Sequence, residues 1–338
     1  MRKTKWLYIS GAIIFAIGII IFILSMAIVG FSFDELGGVV ENNTEISGDF
    51  NSIVIDTSTA DLKIQISSDG KSSLQTRAND KIIYRPTVEN GILTIKGEDN
   101  RKWYERMFDF GDDDVVLSLS TTQYESLSIK GSTGNIVISE GLAFAKGEIA
   151  VSTADVKIES SLGNLTVSIS TGDFSMKNTA LESLNIKGTT GDIILKNIDV
   201  SKGAAIELTT GDISLENINM GGALGIVGST SDLEMKNVKA QSLNAKLSTG
   251  EMELEGVVID GEMKLKTSTG DMELEGCDAS SLKIESSSGD VSGVLLTSKI
   301  FYATSSTGDI SVPKSTQGGL CEVVTSSGDI EFKIAEKN

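Results

Sequence analysis

The chain has 338 residues, a formal net charge of −18, 35 Gly against 2 Pro, 5% aromatic residues and no histidine. So acidic a surface repels nucleic acid and anionic lipid and suits cationic partners or plain solubility. Abundant Gly with few aromatics and frequent Ser and Thr fits many short strands joined by tight turns and excludes a large helical core.

Residues 1–5 form a basic tail with Arg2, Lys3 and Lys5. From Trp6 to Val29 there is no charge, and Ile, Phe, Leu and Ala dominate. Rising 1.5 Å per residue, that run reaches about 36 Å, enough for a hydrocarbon core of about 30 Å, so the sequence predicts one transmembrane helix over 6–29. Cations precede it while Asp34 and Glu35 follow, which puts the N-terminus in the cytoplasm and the rest outside a cell membrane. A cleaved signal peptide is the rival, because Ser25-Met26-Ala27 has the small residues of a cleavage site. The run is longer than the usual h-region of 7–15 residues, which favours an uncleaved anchor. Residues 30–48 read as a linker.

Residues 49–126 read as an irregular β part and cap. Two apolar runs, Ile82-Ile83-Tyr84-Arg85-Pro86 and Ile92-Leu93-Thr94-Ile95, flank Glu89-Asn90-Gly91, and Asn-Gly in that setting predicts a β-hairpin. Trp103, Tyr104, Met107 and Phe108 share one face of a short helix, with Phe110 just beyond, before Asp112-Asp113-Asp114 ends it. That segment either packs as a cap over the first coil or forms an interfacial contact with lipid or a partner.

Residues 127–338 carry a repeat. Tetrapeptides such as Ser170-Thr171-Gly172-Asp173 and Thr189-Thr190-Gly191-Asp192 end on Asp61, Asn135, Asp155, Asp173, Asp192, Asp212, Asp232, Glu251, Asp271, Asp290, Asp309 and Asp329. From Asn135 onward the spacing is 18 to 20 residues, a solenoid period. Apolar residues recur eight and six before each acid, as at Leu184 and Ile186, and one and three after it, as at Ile213 and Leu215. Period two on both sides of a turn means strand, turn, strand. With no helix between units, each strand must pair in parallel with its equivalents above and below, giving an all-β, single-stranded parallel β-solenoid of about 19–20 residues per coil. Eleven coils at about 4.8 Å make a rod of about 53 Å. A two-sheet roll and a three-sided helix both fit.

Stacked acids repel by about 1 kcal/mol per neighbour in water, so something must relieve them. Calcium between coils is one answer. The better one is a structural turn in which the side-chain oxygen accepts a backbone N–H, since Asn135 fills the slot without charge. No metal or other cofactor is therefore expected. Catalysis is not expected either, because there is no His and the acids repeat evenly instead of converging with Lys or Arg in one cleft. An acidic strip of Glu251, Glu253, Glu255, Asp271, Glu273 and Glu275 is either a solvated face without a function or a surface that attracts a cationic peptide or basic partner. Cys277 and Cys321 fall on different inward rows, three coils and about 14 Å apart, beyond disulfide reach.

The N-terminal anchor, Phe50-Asn51-Ser52-Ile53-Val54-Ile55 before Ala60-Asp61-Leu62-Lys63-Ile64, and Val115-Val116-Leu117-Ser118-Leu119 leading through Tyr124-Glu125-Ser126-Leu127-Ser128-Ile129 into Gly134-Asn135-Ile136 resemble a bacterial adhesin-type β-strand-repeat family of unknown function. The resemblance implies a surface protein and, for some members, a link to envelope stress systems that respond to membrane-active antibiotics. It implies no catalytic residues. The expectation is a non-enzymatic, membrane-anchored scaffold for an unknown envelope protein or a cationic peptide, with stress sensing as one role. The alternatives are an adhesive rod and, behind it, a glycan-active enzyme.

Overall fold

The computed structural model describes residues 2–29, 38–108 and 113–336. Helix α1 runs Arg2–Val29. Its described side chains, Gly11 and Ile13–Ser25, are exposed. Among the described residues no helix is long and apolar enough to cross a membrane.

The remainder is an all-β parallel solenoid with one continuous sheet. Equivalent positions pair in register from coil to coil: Leu184, Ala204, Leu224, Leu243, Met263 and Leu282 form one row, and Ile193, Ile213, Leu233, Met252, Met272 and Val291 another. These rows are buried, and each Leu or Ile taken out of water contributes about 1.5–3 kcal/mol. The rows expected to face inward do so, but in one coil at the end of the rod Phe301 and Val312 are only partly buried against the core and Ile310 is exposed.

Each coil has three strand runs, which settles the cross-section as three-sided. The first corner is the Gly before the acid, with φ of +126° at Gly191. The second lies five residues after the acid, where Asn178, Asn197, Asn217 and Asn237 adopt φ of 53° to 56° and Gly256 and Gly276 take their place. Inward positions then resume at Ile198, Ile218, Val238, Val257 and Cys277. The third corner absorbs the difference between 19- and 20-residue coils, through register shifts between Leu181 and Ser183 and between Ile259 and Glu262.

The stacking order departs from chain order at both ends. Strands β1 (Val39–Glu45), β2 (Ser52–Ser58), β3 (Asp61–Ile66), β4 (Ser73–Asn79), β5 (Ile82–Glu89) and β6 (Ile92–Asp99) are followed by α2 (Trp103–Phe108) and then by β7 (Asp114–Leu119), β8 (Gln123–Thr133) and β9 (Ile136–Ile138). The first coil, β2 with β3, sits between the layer of β6 and β7 and the layer of β8 and β9. At the other end the last coil is likewise inserted. Gly319–Ser327 pairs with both Met272–Ser288 and Lys299–Thr307, and Ile330–Ile334 pairs with both Val291–Leu295 and Ile310–Ser311. Both chain-terminal coils thus have neighbours on each side, which protects them from the fraying of a free end.

This order corrects the expected three-coil separation of the cysteines. Cys321 lies beside Leu282 and Phe301, and Cys277 beside Leu295. Their place on different runs of the coil keeps them apart. Both are free and buried, and burial pushes the thiols up to about 11 for Cys277 and about 12 for Cys321. Counting six residues on from Asp290, as Cys277 lies six on from Asp271, would put Leu296 in the row of Cys277, but a register shift after Glu275 puts Leu295 there and leaves Leu296 exposed. The segment 30–48, expected to be linker, contains β1, whose side chains are all exposed. Backbone pairing to β4 holds it, so it has no inward row to betray it. The Asn90-Gly91 hairpin forms as expected between antiparallel β5 and β6, with φ of 52° and 77°.

The register can be tested at adjacent residues. Leu215 is 1% exposed, whereas Glu216 faces out and pairs with Lys196 at 2.7 Å. Leu215→Asp should destabilise by several kcal/mol in urea unfolding followed by circular dichroism, and Glu216→Gln by less than about 1 kcal/mol. The reverse order would mean that every inward row is displaced by one residue.

Candidate binding surface

The repeated acids form a hydrogen-bond ladder along the first corner. The N–H of Asn135 donates to Oδ1 of Asp61 at 2.7 Å, that of Asp155 to Asn135 at 3.1 Å and that of Asp173 to Asp155 at 2.9 Å. It continues through Asp192, Asp212 and Asp232 to the N–H of Glu251. After a gap it resumes from Asp271 to Asp290, then to Asp329 and finally Asp309. The bonds run between coils, where a turn-local bond was expected. Only an acceptor oxygen at the Asp distance is needed, so Asn135 serves as well as Asp. Glu251 interrupts the ladder: among the described residues no N–H donates to its carboxylate, which one extra methylene carries past the donor of Asp271. The glycine beside each rung is equally constrained, since a Cβ on Gly191 would lie 2.1 Å from the carbonyl oxygen of Gly172.

A second ladder, not anticipated from the sequence, occupies the next corner. The side-chain amide of Asn197 donates to the oxygen of Asn178 at 2.7 Å, Asn217 to Asn197 at 3.0 Å and Asn237 to Asn217 at 3.1 Å. Its signal was present as Asn or Gly five residues after each acid from Asp173 to Asp271, the two residue types that tolerate a left-handed backbone.

The outer face between these corners holds a groove at the β1–β4 end. Next to β7 the parallel stack gives way to antiparallel β4 and then β1, and a groove with a cavity volume of about 660 Å³ lies over β9, β3, β7, β4 and β1. Two cross-strand rows floor it. Val137, Lys63, Val116, Gln75 and Asn43 form one; Asp61, Asp114, Arg77 and Glu41 form the other. Arg77 reaches Asp114 at 3.4 Å and Glu41 at 3.9 Å. Acids and cations therefore do converge here, unlike along the repeat body, though Arg77 is engaged by carboxylates and Asp61 by the N–H of Asn135. The amides of Gln75 and Asn43 beside apolar Val116 and Val137 offer a pocket of ordinary ligand-site volume. Sequence reasoning missed it because β1 and β4 carry no solenoid pattern.

Further along the same face, Glu234, Glu253 and Glu273 stack in register, as do Lys236, Glu255 and Glu275. Lys236 pairs with Glu255 at 2.7 Å, while among the described residues no cation bridges Glu253, Glu273 or Glu275. Of the expected strip, Glu251 and Asp271 belong to the corner ladder and the other four to this patch.

In α2, Trp103 is 62% exposed and Glu105 is 1% exposed. Glu105 accepts from Lys81 Nζ at 2.8 Å and from the Lys102 N–H at 2.7 Å, and these bonds, Lys81 foremost, hold its carboxyl below the usual range. Asp99 is raised by burial but brought below its usual range by bonds from Arg101. The backbones of Tyr104, Met107 and Phe108 lie in α2; their side chains, and Phe110 altogether, lie outside what the structure describes.

A family model for Toastrack DUF4097 matches residues 50–227 and again 223–338. The chain belongs to the Toastrack DUF4097 family. Among solved structures it is similar to a "putative adhesin" from Bacteroides fragilis, at 14% identity over 88% of this chain and 97% of that one, TM-score 0.32. It is also similar to a "putative lipid binding protein" from Parabacteroides distasonis, at 15% identity over 89% and 98%, TM-score 0.36, and to a "putative cell adhesion protein" from Clostridium sporogenes, at 12% identity over 88% and 100%, TM-score 0.21. No curated protein matches.

Two measurements test this geometry. Glu251→Asp should restore the missing rung and raise stability by about 0.5–1 kcal/mol in urea unfolding; a loss would show that the gap is not caused by side-chain length. Because the folded-state pKa values of Glu105 and Asp99 are depressed, their contribution to docking α2 is complete above the unfolded values near 4 and is lost as pH falls through the folded ones. Trp103 fluorescence and cleavage after Arg101 should therefore stay constant from pH 7 to 5 and change below pH 4. Lys81→Met should expose the same site at pH 7, and an unaltered cleavage rate there would rule out the Lys81–Glu105 clasp.

Proposed function

We propose that this protein is a membrane-anchored, adhesin-like surface rod that acts by binding and not by catalysis. The anchor is α1: Trp6 to Val29 is uncharged and follows three cations, so the N-terminus lies in the cytoplasm and the solenoid outside. The β1–β4 end then faces the membrane, joined to it by the residues before β1. One observation carries the binding reading, the outer face that joins the groove over Lys63, Gln75 and Asn43 to the acidic patch of Glu253, Glu273 and Glu275. A rigid face that carries a groove at one end and, several coils further along, unpaired negative charge suits a cationic segment of an envelope protein. Glu41, Arg77 and Asp114 are occupied by one another and Asp61 by a backbone N–H, which leaves Lys63 as the groove's charged side chain without a bond among the described residues and favours recognition over proton transfer.

Protease added to intact cells should remove everything beyond residue 30 while an N-terminal tag stays protected, and protection of the C-terminus would overturn the orientation. In the same cells a photo-crosslinker at Gln75 should capture a defined envelope protein that one at Glu207, on another face, does not. Capture that rises with a membrane-active antibiotic would assign the contact to stress sensing, and capture independent of it to adhesion. Equal capture from both positions would reject the groove.

A further inference from the structure

The two ends of the rod are finished differently. At the β1–β4 end the last solenoid layer, β6 and β7, is covered by antiparallel strands on both runs, β5 on β6 and β4 on β7. The edges left over are guarded in the manner of strands that must not pair. β5 carries Arg85, Pro86 and Glu89, and β1 carries Glu41 and Glu45. At the opposite tip nothing among the described residues covers the last layer: Lys299–Thr307 pairs on one side only, with the inserted final coil, and so does Ile310–Ser311. The short Ile310–Ser311 edge is blocked by Pro313, the second of the two prolines in the chain. The Lys299–Thr307 edge has no such block.

That edge is also the wrong composition for solvent. From Ile300 to Gly308 there is no charge in a chain of net −18, and Lys299 at its start is buried against Asp278 at 2.5 Å. Tyr302 is 62% exposed, with Ile300, Ile310 and Leu320 also exposed around it. The inward residues Phe301 and Val312 are only partly covered, so the aliphatic interior opens at this tip, closed in part by Phe301 on Phe332 at 5.6 Å.

We propose that this tip edge binds the same edge of a second copy of the chain, antiparallel about a two-fold axis, so that two rods meet tip to tip. A second copy is the occupant that the charge pattern fits. Two chains of net −18 repel over most of their surfaces, and this uncharged strand is where their approach is least opposed. A head-to-tail contact is excluded because the other end is capped. A two-fold contact continues the sheet from one rod to the next and places the two anchors at the far ends, so the pair bridges two opposed membranes. The proposal rests on the anchored-rod reading and names its partner. One strand edge is a small interface, and the contact is strengthened by many copies on each surface.

Sedimentation of the full chain in detergent reads the contact whether or not α1 is an anchor. Wild type should show a reversible dimer whose dissociation constant rises at least about tenfold in Tyr302→Lys/Thr304→Lys, since like charges then face each other across the edge. Val227→Lys, at an exposed outward position in mid-rod, should leave it unchanged. Two differently dyed populations of phosphatidylcholine vesicles carrying the full chain should cluster, and the double variant should not. A monomer at all concentrations, a dimer or clustering that survives the double variant, or vesicles that carry the chain without clustering would overturn the proposal. Failure of the chain to float with the vesicles would instead sink the anchor alone.

Discussion

Every residue of a parallel solenoid has its own equivalent as a neighbour about 4.8 Å above and below, and that constraint governs this chain. An apolar residue in a row is enclosed by others, so Ile213 lies against Ile193 and Leu233. A backbone corner must suit its own copy as well, so the same conformation recurs at Gly172, Gly191 and Gly211, with φ of 125° to 126°. Corners also leave N–H groups that no strand partner takes. The Asp and Asn side chains of the first ladder supply the acceptors, and the amide ladder of the second corner pairs donor with acceptor in one residue type.

The same constraint sets the charge pattern outside. A carboxylate at an outward position has a carboxylate as its nearest neighbour unless the sequence alternates. Where Lys196, Glu216, Lys236 and Glu255 follow one another, bridges of 2.7 Å form within the column. Where Glu253 stacks on Glu234 and Glu273 on Glu253, no alternation relieves the repulsion. The fold does not need that patch, since the column beside it shows a neutral arrangement on the same scaffold. The unrelieved acidic patch, on the face that the corner ladder borders, is therefore not a requirement of the stacking.

The rows were legible because they use the strongest sequence signal, apolar period two locked to a repeated acid. The hairpin at Asn90-Gly91 was legible because that dipeptide suits a left-handed turn at both positions. The order of layers at the ends was not. Coils of nearly the same pattern are interchangeable as partners, so nothing in the residues of Gly319–Ser327 says that it lies beside Met272–Ser288 in place of Lys299–Thr307. The place of Leu295 was hidden for a related reason, because a one-residue shift exchanges it with equally apolar Leu296. The groove escaped notice because Val39–Glu45 is held by backbone pairing and exposed ion pairs, with no inward apolar row to mark it. The second ladder could have been read, had polar corners been aligned as closely as the apolar rows.

Inserting the first and last coils between others has a consequence for the ends of the rod. The end layers become internal segments of the chain, tethered on both sides, and their outer edges are fixed in place instead of fraying. Fixed edges are dangerous ones, because an ordered row of unpaired N–H and C=O groups is a template for another strand. The β1–β4 end meets that hazard with antiparallel covers, charge and Pro86. At the tip only the Ile310–Ser311 side is interrupted, by Pro313, while Lys299–Thr307 keeps a rigid and uncharged edge beside an incompletely closed core. With one proline at each end, the edge left unguarded among the described residues is that of Lys299–Thr307, and association through an edge is least opposed there.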